Sequence, residues 1–579
     1  MNSIATRRET QQGDGVDRRL IVLACLVVIL TCVVRAVQLA WLSDDGFISF
    51  RYAQNLAEGR GLVYNAGEYV EGYTNLLFTL VLAAFMRMGA QPEIMSHVLG
   101  IGCWLTQAGV LAWWSWRRAQ ADGHRYLPLA AALTLLIEDQ QRWATGGLET
   151  SMFGLFASSG LLLLAVDVPN RRRQLLAAAL LGLATLTRPD GVLFCALGVG
   201  YAFIARPGAT LAERIADSAV VALPLAIIGA ALVTFKLSYY GDIFPTAFYA
   251  KSALDEYASQ GFYYVGLFLE RNWFVALFVA LVLWPARAQL GRLASRAHGL
   301  LLASLLVFGG YVIHSGGDFM YARRLMPALP FLWLLFEALL ACCSRRAVAV
   351  GIFLVTLVAA ALPRDPFGGS APTLLRGIAN EWAFYPADYV AFCRNRGELL
   401  QRVLGNTPVR VVYSNSLAML GYYSRLPYLV EYSGLTQYSV AKTKLVHERG
   451  RVGHEKAVNK DWMTAHDVQM YLFLDKEPLV KNGARRFDYA RLGGRLTALV
   501  WIYKDEVMDA FRNQAEIDFV PIEVVLTGLE ASVARQSYAQ ARETLAYFES
   551  YYLNHASGAR AEMAARLRRV VAAKQVVQP

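Results

Sequence analysis

The sequence predicts a polytopic α-helical membrane protein of about eleven spans, followed by a C-terminal extracytoplasmic α/β domain. Of the 579 residues, 56% are hydrophobic and 17% are charged, whereas soluble domains carry about 25% charged residues. This depletion of charge is confined to residues before about 362, and the remainder has the composition of a soluble domain. In the first part, Arg residues cluster in short loops between apolar runs, as they do in cytoplasmic loops. The net charge of +11 therefore indicates membrane topology and not a nucleic-acid partner, which would need a continuous basic face.

The first apolar run directs an acid pair to one membrane face. Residues 1–19 are polar, contain four arginines and are predicted to be a cytoplasmic tail. The run from Leu20 to Leu42 is long enough to cross a bilayer and lacks a small-residue cleavage site, so it is predicted to be a retained span. Asp44 and Asp45 are then the first charged residues on the outer face.

Further apolar runs predict the rest of a transmembrane domain over residues 20–362. Several are shorter than the roughly 17–25 residues that cross a bilayer alone, so they are expected to extend through aromatic flanks or to be shielded half-helices. If Asp44 is outside and Arg171 is inside, the four runs between them must include one, 76–88 or 127–137, that is re-entrant or does not cross. The runs lie at about 76–88, 94–116, 127–137, 151–166, 174–187, 191–205, 218–237, 262–284, 299–313, 325–343 and 347–362.

Residues 363–579 are predicted to be a soluble, extracytoplasmic (periplasmic) α/β domain that begins with a Pro- and Gly-rich linker. Strands are predicted at Val409–Tyr413 and Leu499–Tyr503, and helices within 530–572. This part has a single cysteine, Cys393, so it holds no internal disulfide, and no Cys–His spacing predicts zinc.

The segment from Ser43 to Asn75 is the strongest candidate for chemistry. Asp44 or Asp45 could act as a general base at the membrane surface, while the other carboxylate orients a hydroxyl or holds a cation. The alternative is a solvated pair that marks the end of a span. Later in the segment, Glu71 could contact a sugar hydroxyl and Tyr73 could stack on a ring. The alternative for residues 70–75 is an interfacial aromatic belt with a helix cap at Asn75.

The other predicted outward loops each carry an ionisable residue in a Gly-, Pro- or aromatic-rich setting, whereas the inward loops carry mostly Arg. Arg188 and Asp190 are expected to form a local ion pair, since an unpaired charge there is costly. Tyr240, Asp242, Lys251, Asp318 and Arg323 are placed to meet an anionic head group, or else are interfacial charges that snorkel. In the soluble domain, His454 and Glu455 are weak candidates for a metal site or a proton relay, because a lone His is usually structural. The loops are Gly146–Thr150, Thr187–Gly191, Tyr239–Pro245 with Lys251, and Gly316–Phe319 with Arg323 and Arg324.

A series of segments between Asp44 and Lys456 resembles, in order, the family of the mycobacterial terminal arabinofuranosyltransferase AftB, a branch of the GT-C membrane glycosyltransferases. The first block is highly specific, whereas GLET and RPDG alone would be weak. The segments are DDGFISFRYAQNLAEGRGLVYNAGEYVEGYTN, GLET, RPDG, YYGDIFPTAFYAK, GGDFMYARRLMP, YSGLTQYSVAK and GRVGHEK.

The resemblance implies a GT-C fold in the bacterial inner (plasma) membrane and an inverting transfer on its outer face. The donor would be a polyprenyl-phosphate-linked sugar, with D-arabinofuranose as the sugar, and the acceptor a hydroxyl of a cell-envelope glycan or glycoprotein. By this resemblance Asp44 or Asp45 is the base. In the mechanism that we expect, Lys251, Arg323 or Arg51 would stabilise the departing phosphate. No cofactor is required, and no ligand spacing demands a metal, although the many acids leave a divalent cation open. Residues expected to contact substrate are Tyr52, Glu71, Tyr73, Asn75, Glu149, Tyr240, Asp242, Asp318, His454 and Glu455.

Two departures from the family pattern leave the sugar and the acceptor open. The family more often has Asp before Gly-Leu-Thr, where this chain has Glu431-Tyr432-Ser433, and Pro before Gly-His-Glu, where it has Val452. The alternatives are the same fold using a hexose on protein or lipopolysaccharide, and a non-catalytic membrane protein for transport, envelope assembly or motility. Transporters often show paired halves, and no such internal symmetry is visible in the sequence.

Overall fold

In the computed structural model the described residues form two compact units. The first unit comprises Met1–Gly46, Thr74–Ser238 and Leu254–Pro386, and the second comprises Phe47–Tyr73, Tyr239–Ala253 and Ala387–Pro579. The described residues are 22–23, 25–122, 127–166, 170–251, 257–445, 452–474, 489–493, 495–553 and 556–577. Three predicted parts therefore lie outside the described part of the chain: the tail, residues 20, 21 and 24 of the first span, and Gly450 and Arg451 of the GRVGHEK segment.

The first unit is built of apolar helices. Among the described residues, five helices are long and apolar enough to cross a membrane: Pro92–Ala121, Leu211–Tyr240, Phe274–Leu293, Arg296–His314 and Arg323–Ala341. Shorter apolar helices are Cys25–Gln38, Leu76–Arg87, Thr150–Leu164, Gly191–Ile204 and Arg346–Ala360. Further helices are Leu129–Leu136, Glu138–Ala144, Arg171–Thr187, Ala258–Arg271 and Glu381–Phe384, and two two-residue strands are Leu374–Leu375 and Ile378–Ala379. The described part of the first unit is therefore predominantly helical and apolar.

Two predicted runs differ from a simple span. The run at 127–137 forms a helix of eight residues, Leu129–Leu136, which is about 12 Å long and cannot cross a core of about 30 Å by itself. The run at 262–284 is two helices, Ala258–Arg271 and Phe274–Ala286, interrupted at Asn272. Hydrogen bonds of the Asn272 side chain explain this interruption. Its amide donates to Asp139 Oδ2 at 2.9 Å and to the Phe268 carbonyl at 3.1 Å.

Small residues let helices of the first unit approach closely, as is common in membrane helix packing. A Cβ placed on Gly160 would lie 2.7 Å from Leu181 Cγ and 3.2 Å from the Ala177 carbonyl oxygen. In the same unit Phe194 stacks on Phe308, with ring centroids 5.0 Å apart. A core of rings and small residues thus holds the helices that carry the polar loops.

The second unit contains a six-stranded mixed sheet. Its strands in spatial order are Tyr428–Glu431, Arg410–Tyr413, Met470–Leu474, Leu496–Val500, Tyr489–Arg491 and Asp518–Phe519. The first three are parallel and the other pairings are antiparallel. The helices are Asp44–Ala57, which begins in the first unit, Thr246–Ala250, Ala387–Leu404, Ala418–Ser424, Tyr438–Ala441, Lys460–Ala465, Asp505–Met508, Ile522–Arg535, Tyr538–Tyr551 and Gly558–Val577.

One predicted strand is displaced. The strand expected at Leu499–Tyr503 lies at Leu496–Val500, because the aromatic residues that suggested it follow the strand. Trp501 belongs to the buried core beside the sheet, and the Tyr503 N–H donates to the Tyr551 carbonyl at 2.9 Å. The strand predicted at Val409–Tyr413 is observed at Arg410–Tyr413.

The two compact units do not follow the predicted linear division at residue 363. Phe47–Tyr73 and Tyr239–Ala253 belong to the second unit. Hydrogen bonds explain the first grouping: the Tyr64 and Tyr413 hydroxyls lie 2.7 Å apart, and Asn65 Nδ2 donates to the Leu429 carbonyl at 2.8 Å. The predicted first outer loop therefore divides, since Asp44, Asp45 and Asn75 are in the first unit.

Candidate active site

The acid pair occupies the first turn of the Asp44–Ala57 helix. Negative side chains are favoured there because the unpaired N–H groups form the positive end of the helix dipole. Asp44 is 5% exposed and Asp45 is half-buried. The backbone just before the pair is fixed, since the Ser43 N–H donates to the Gly146 carbonyl at 3.0 Å.

Two tryptophans reinforce this attachment. The Trp41 indole N–H donates to the Arg142 carbonyl at 2.9 Å, and its ring lies edge-on to Trp143, with centroids 5.2 Å apart. Gly146 fits between them, because a Cβ there would lie 3.1 Å from Trp41 and 3.3 Å from Trp143. The acid pair and the Gly146–Thr150 loop are therefore held together in the first unit.

Glu149, at the end of that loop, is the centre of a buried ion network that we call the Glu149 network: Asn75, Glu149, Arg188, Asp190 and Arg323. Glu149 is 1% exposed. Its Oε1 accepts from Arg188 at 3.1 Å and from Arg323 at 2.9 Å, and its Oε2 accepts from Asn75 at 3.0 Å. Arg188 also donates to Asp190 at 2.8 Å, the local ion pair expected from the sequence. Loops that are distant in the sequence thus meet at one carboxylate.

The network keeps its acids ionised. Burial by itself raises the pKa of Glu149, but Arg323 and then Arg188 outweigh it, so the pKa lies below its ordinary value. Burial likewise raises the pKa of Asp190, and Arg188 and Arg324 lower it below the ordinary value. Glu149 is therefore suited to orienting two guanidinium groups and not to accepting a proton near neutral pH.

Arg323 lies in a tightly folded turn that begins at Gly316. Gly317 has φ +72°, and a Cβ on it would lie 2.4 Å from the Tyr264 ring, so only glycine fits. Tyr264 donates to the Met320 carbonyl at 2.9 Å. Ala322 has φ 61°, an uncommon value for a residue with a Cβ.

Both charged candidates of this turn are buried: Asp318 is 3% exposed and Arg323 is 7% exposed. The Arg323 Nε–H has no hydrogen-bond partner within the described part of the chain. Its side chain is therefore aimed by Glu149 while keeping one donor for a further acceptor.

Candidates in the second unit fall into two groups, and the first group holds the backbone. Arg51 donates to the carbonyls of Tyr64 at 2.8 Å and Leu426 at 2.7 Å, which is typical of a structural arginine. The Tyr52 hydroxyl donates to the Val70 carbonyl at 2.6 Å and accepts from the Gly72 N–H at 2.8 Å. A phosphate on Arg51 would have to replace these backbone bonds.

The same segment continues through Glu71 and Tyr73, which are 1% and 2% exposed. The Glu71 carbonyl accepts from the Thr246 N–H at 2.9 Å. The Tyr73 and Tyr240 hydroxyls lie 3.0 Å apart, and Tyr240 donates to the Leu62 carbonyl at 2.8 Å. These side chains fix residues 62–73 against the segment that starts at Tyr239.

The second group surrounds Lys251. A Cβ on Gly453 would lie 3.2 Å from Lys251 Cε, so the Gly-His-Glu turn lies against the lysine's methylene chain. The two residues that follow Gly453, His454 and Glu455, are half-buried. Lys456 donates to the Tyr249 carbonyl at 2.7 Å and to the Ala441 carbonyl at 2.6 Å. The turn is thereby attached to the segment that ends in Lys251.

Asp242 is paired with Lys442 at 2.6 Å and also accepts from the Tyr249 hydroxyl at 2.9 Å. Burial raises the pKa of Asp242, but hydrogen bonds from Lys442, the Phe244 N–H and the Tyr249 hydroxyl lower it below its ordinary value. The contact is open to solvent, since the Lys442 side chain is 47% exposed.

We therefore expect Asp242→Asn to lower the free energy of unfolding by less than about 1 kcal/mol. Because the folded-state pKa is the lower one, this contribution is present above about pH 4 and is lost as the pH falls further. Chemical unfolding at low and high salt measures it, and high salt should reduce the difference. Lys442→Ala serves as the matched change, and a loss of several kcal/mol in Asp242→Asn would contradict this account.

Sequence reasoning missed several residues of these arrangements. Lys442 is the last residue of the YSGLTQYSVAK segment, and its membership of that segment was the available signal. Asp139 and Arg271 were also missed: they pair at 3.1 Å with both side chains buried. Arg271 lies inside a predicted apolar run, where a charge indicates a partner. Among the described residues no group of three or more His, Cys, Asp or Glu side chains could hold a metal ion.

The fold and the site define a chain of apolar helices with an acid pair tied to a buried ion network, together with a mixed α/β unit. This chain is 29% identical over 332 residues to the terminal β-(1→2)-arabinofuranosyltransferase of Mycobacterium tuberculosis (strain ATCC 25618 / H37Rv), which is 50% of this chain and 51% of that protein. It is 30% identical over 331 residues to the Corynebacterium glutamicum protein of the same name, with coverage of 49% and 46%. The resemblance to the terminal arabinofuranosyltransferases is confirmed, and the chain spans about half the length of the curated relatives it matches.

Solved structures give further similarities. ArnT from Cupriavidus metallidurans bound to undecaprenyl phosphate has 13% sequence identity and a TM-score of 0.49, covering 83% of this chain and 97% of that one. An oligosaccharyltransferase from Archaeoglobus fulgidus has 10% identity and a TM-score of 0.45, with coverage of 78% and 69%. No protein-family model matches the chain.

Proposed function

We propose that this chain is a membrane glycosyltransferase of the GT-C type. It would transfer D-arabinofuranose from a polyprenyl-phosphate donor to a hydroxyl of a cell-envelope glycan or glycoprotein. The observation that carries the proposal is the similarity, over half the chain, to two proteins named terminal β-(1→2)-arabinofuranosyltransferases. Because that similarity covers about half of each relative, the activity of the whole protein is part of the proposal.

The geometry of the first unit supports this chemistry. A lipid-phosphate donor keeps its tail in the bilayer, so its reactive carbon lies near the headgroup level. An acid pair at a helix start that follows an apolar helix is suited to holding a base at that level. The hydrogen bond from Ser43 to Gly146 fixes this helix start beside the loop that carries Glu149.

In the proposed reaction Asp44 or Asp45 takes the proton of an acceptor hydroxyl. The hydroxyl oxygen attacks the anomeric carbon, and the bond from that carbon to the phosphate oxygen breaks, with the electron pair leaving on the phosphate. The configuration at the anomeric carbon is inverted. Arg323 of the first unit, with its uncommitted Nε–H, is the proposed partner of the phosphate charge. Lys251, in the second unit, keeps the role in phosphate binding that the sequence predicts for it. Arg51 is the weakest of the three predicted cations, since backbone carbonyls already hold it.

The remaining predicted contacts keep their proposed roles in substrate binding. They are Tyr52, Glu71, Tyr73, Asn75, Glu149, Tyr240, Asp242, Asp318, His454 and Glu455. About eleven crossings, a location in the bacterial inner membrane and a periplasmic C-terminal domain are likewise part of the proposal.

The test is transfer by the purified full chain in nanodiscs. Polyprenyl-phospho-arabinofuranose and a polyprenyl-phospho-hexose are offered separately with an arabinan acceptor, with and without EDTA, and mass spectrometry detects the product. We expect pentose transfer with an inverted linkage, and unchanged transfer in EDTA. Transfer from the hexose donor alone would show that the donor sugar is a hexose. If arabinan receives no sugar, total envelope glycans are offered as the acceptor, and absence of transfer from both donors to both acceptors would overturn the proposal.

A further inference from the structure

A second buried ion network lies in the first unit, and the proposed chemistry does not use it. Its centre is Asp139, which is 1% exposed. Asp139 Oδ1 accepts from Arg271 Nε at 3.1 Å, and Oδ2 accepts from the Asn272 amide at 2.9 Å. Arg271 also donates to Glu138 at 2.8 Å. Glu138 is partly exposed and also pairs with Arg142 at 2.8 Å and Arg35 at 3.0 Å. Burying Asp139 and Arg271 together is costly unless well-placed hydrogen bonds compensate for it.

The Asp139 network reaches the turn that carries Arg323. The Tyr321 hydroxyl lies 3.4 Å from Asp139 Oδ2. Tyr321 is fully buried and packs edge-on against Trp382, with centroids 6.1 Å apart. The Arg271 guanidinium lies 5.8 Å from the same Trp382 ring. Asp139 and Arg271 therefore support the tyrosine both by hydrogen bonding and by packing.

The backbone of Tyr321 is also fixed on both sides. Its N–H donates to the Ala379 carbonyl at 3.0 Å, and its carbonyl accepts from the Trp143 indole at 3.1 Å. The next residue, Ala322, is in the left-handed region, and Arg323 then reaches Glu149 at 2.9 Å. Such a backbone conformation persists only where its surroundings enforce it. One side of the turn is held by Asp139 and the other by Glu149.

We propose that Asp139 is a positioning residue that acts through Tyr321 to aim Arg323 at the phosphate of the lipid-linked donor. This inference rests on the proposed function. Asp139 does not touch the substrate in this account, and its effect is to keep the Ala322 turn in the one conformation that directs the Arg323 guanidinium. Loss of the Asp139 charge should therefore weaken phosphate binding and leave acceptor binding unchanged.

The experiment compares Asp139→Asn with Asp365→Asn in the full-length protein in nanodiscs. Both variants remove a carboxylate next to Arg271, since Asp365 lies 3.8 Å from its guanidinium. Asp365 is exposed, however, and among the described residues it makes no hydrogen bond to Tyr321. Coupling through a packed network changes affinity by about 2- to 30-fold. We expect Asp139→Asn to weaken binding of undecaprenyl phosphate and raise the donor KM by a factor in this range, while the acceptor KM and the Asp365→Asn values stay at wild type.

Tyr321→Phe keeps the ring and removes only the hydroxyl, so it decides the matter if Asp139→Asn does not fold. In an Arg323→Ala background neither Asp139→Asn nor Tyr321→Phe should change undecaprenyl phosphate binding or the donor KM any further. A merely structural role would not produce this result. Equal donor KM values in Asp139→Asn and Asp365→Asn, or an effect that persists without Arg323, would overturn the inference. A wild-type protein that neither binds undecaprenyl phosphate nor transfers sugar would instead remove the proposed function.

Discussion

Replacing both aspartates of the acid pair should abolish sugar transfer while leaving the protein folded. Removing a general base costs about 10²- to 10⁴-fold in rate, and Asp44 and Asp45 are the candidates. The single variants Asp44→Asn and Asp45→Asn should be unequal, with one as inactive as the double variant, because the contributions of groups that act as one unit are not additive. Initial rates at saturating donor and acceptor measure this effect on kcat.

Stability needs a matched control, because an acid in the first turn of a helix also favours the helix by about 0.3–1 kcal/mol. Asp388 lies in the first turn of the Ala387–Leu404 helix and is exposed. Asp388→Asn should also lower the free energy of unfolding by about 0.3–1 kcal/mol, and it should keep full transfer. Full turnover by the Asp44→Asn, Asp45→Asn double variant would remove the proposed mechanism.

The sequence could predict those features that depend on composition and local pattern. The apolar helices follow from runs of apolar residues, and the strand at Arg410–Tyr413 follows from three consecutive β-formers, Val411 to Tyr413, with Val409 just before them. The Arg188–Asp190 pair is two residues apart, so the chain alone brings it together. The acid pair at the end of the first apolar segment was visible for the same reason.

Contacts between distant segments could not be read from one sequence. Nothing local to Glu149 says that its partners are Arg188 and Arg323, since the pairing depends on how the helices pack. The assignment of Phe47–Tyr73 to the second unit depends on Arg51 and Asn65 finding carbonyls about 370 residues later. The break at Asn272 needed Asp139 as its partner.

The largest effect on stability should come from Glu149→Gln. Glutamine keeps the shape and can still accept from Asn75, but it leaves Arg188 and Arg323 buried without the charge they share. Breaking a buried ion pair by removing one partner costs about 3–5 kcal/mol. Transfer should fall as well, because Arg323 loses the group that aims it. Thermal unfolding in detergent at pH 7 and the donor KM are the measurements.

The pH dependence separates this charge effect from a packing defect. The pKa of Glu149 is lowered in the folded protein, so the unfolded chain binds more protons, and the stabilisation is present above about pH 4.3 and lost as the pH falls through the folded-state value. Wild type and Glu149→Gln should therefore differ most at neutral pH and converge in acid. Glu523→Gln, whose pair with Arg512 at 2.7 Å is partly exposed, should cost no more than about 1 kcal/mol. If Glu149→Gln costs no more than that control at neutral pH, Arg323 is held by other contacts, and the ion network is not what directs it toward the donor.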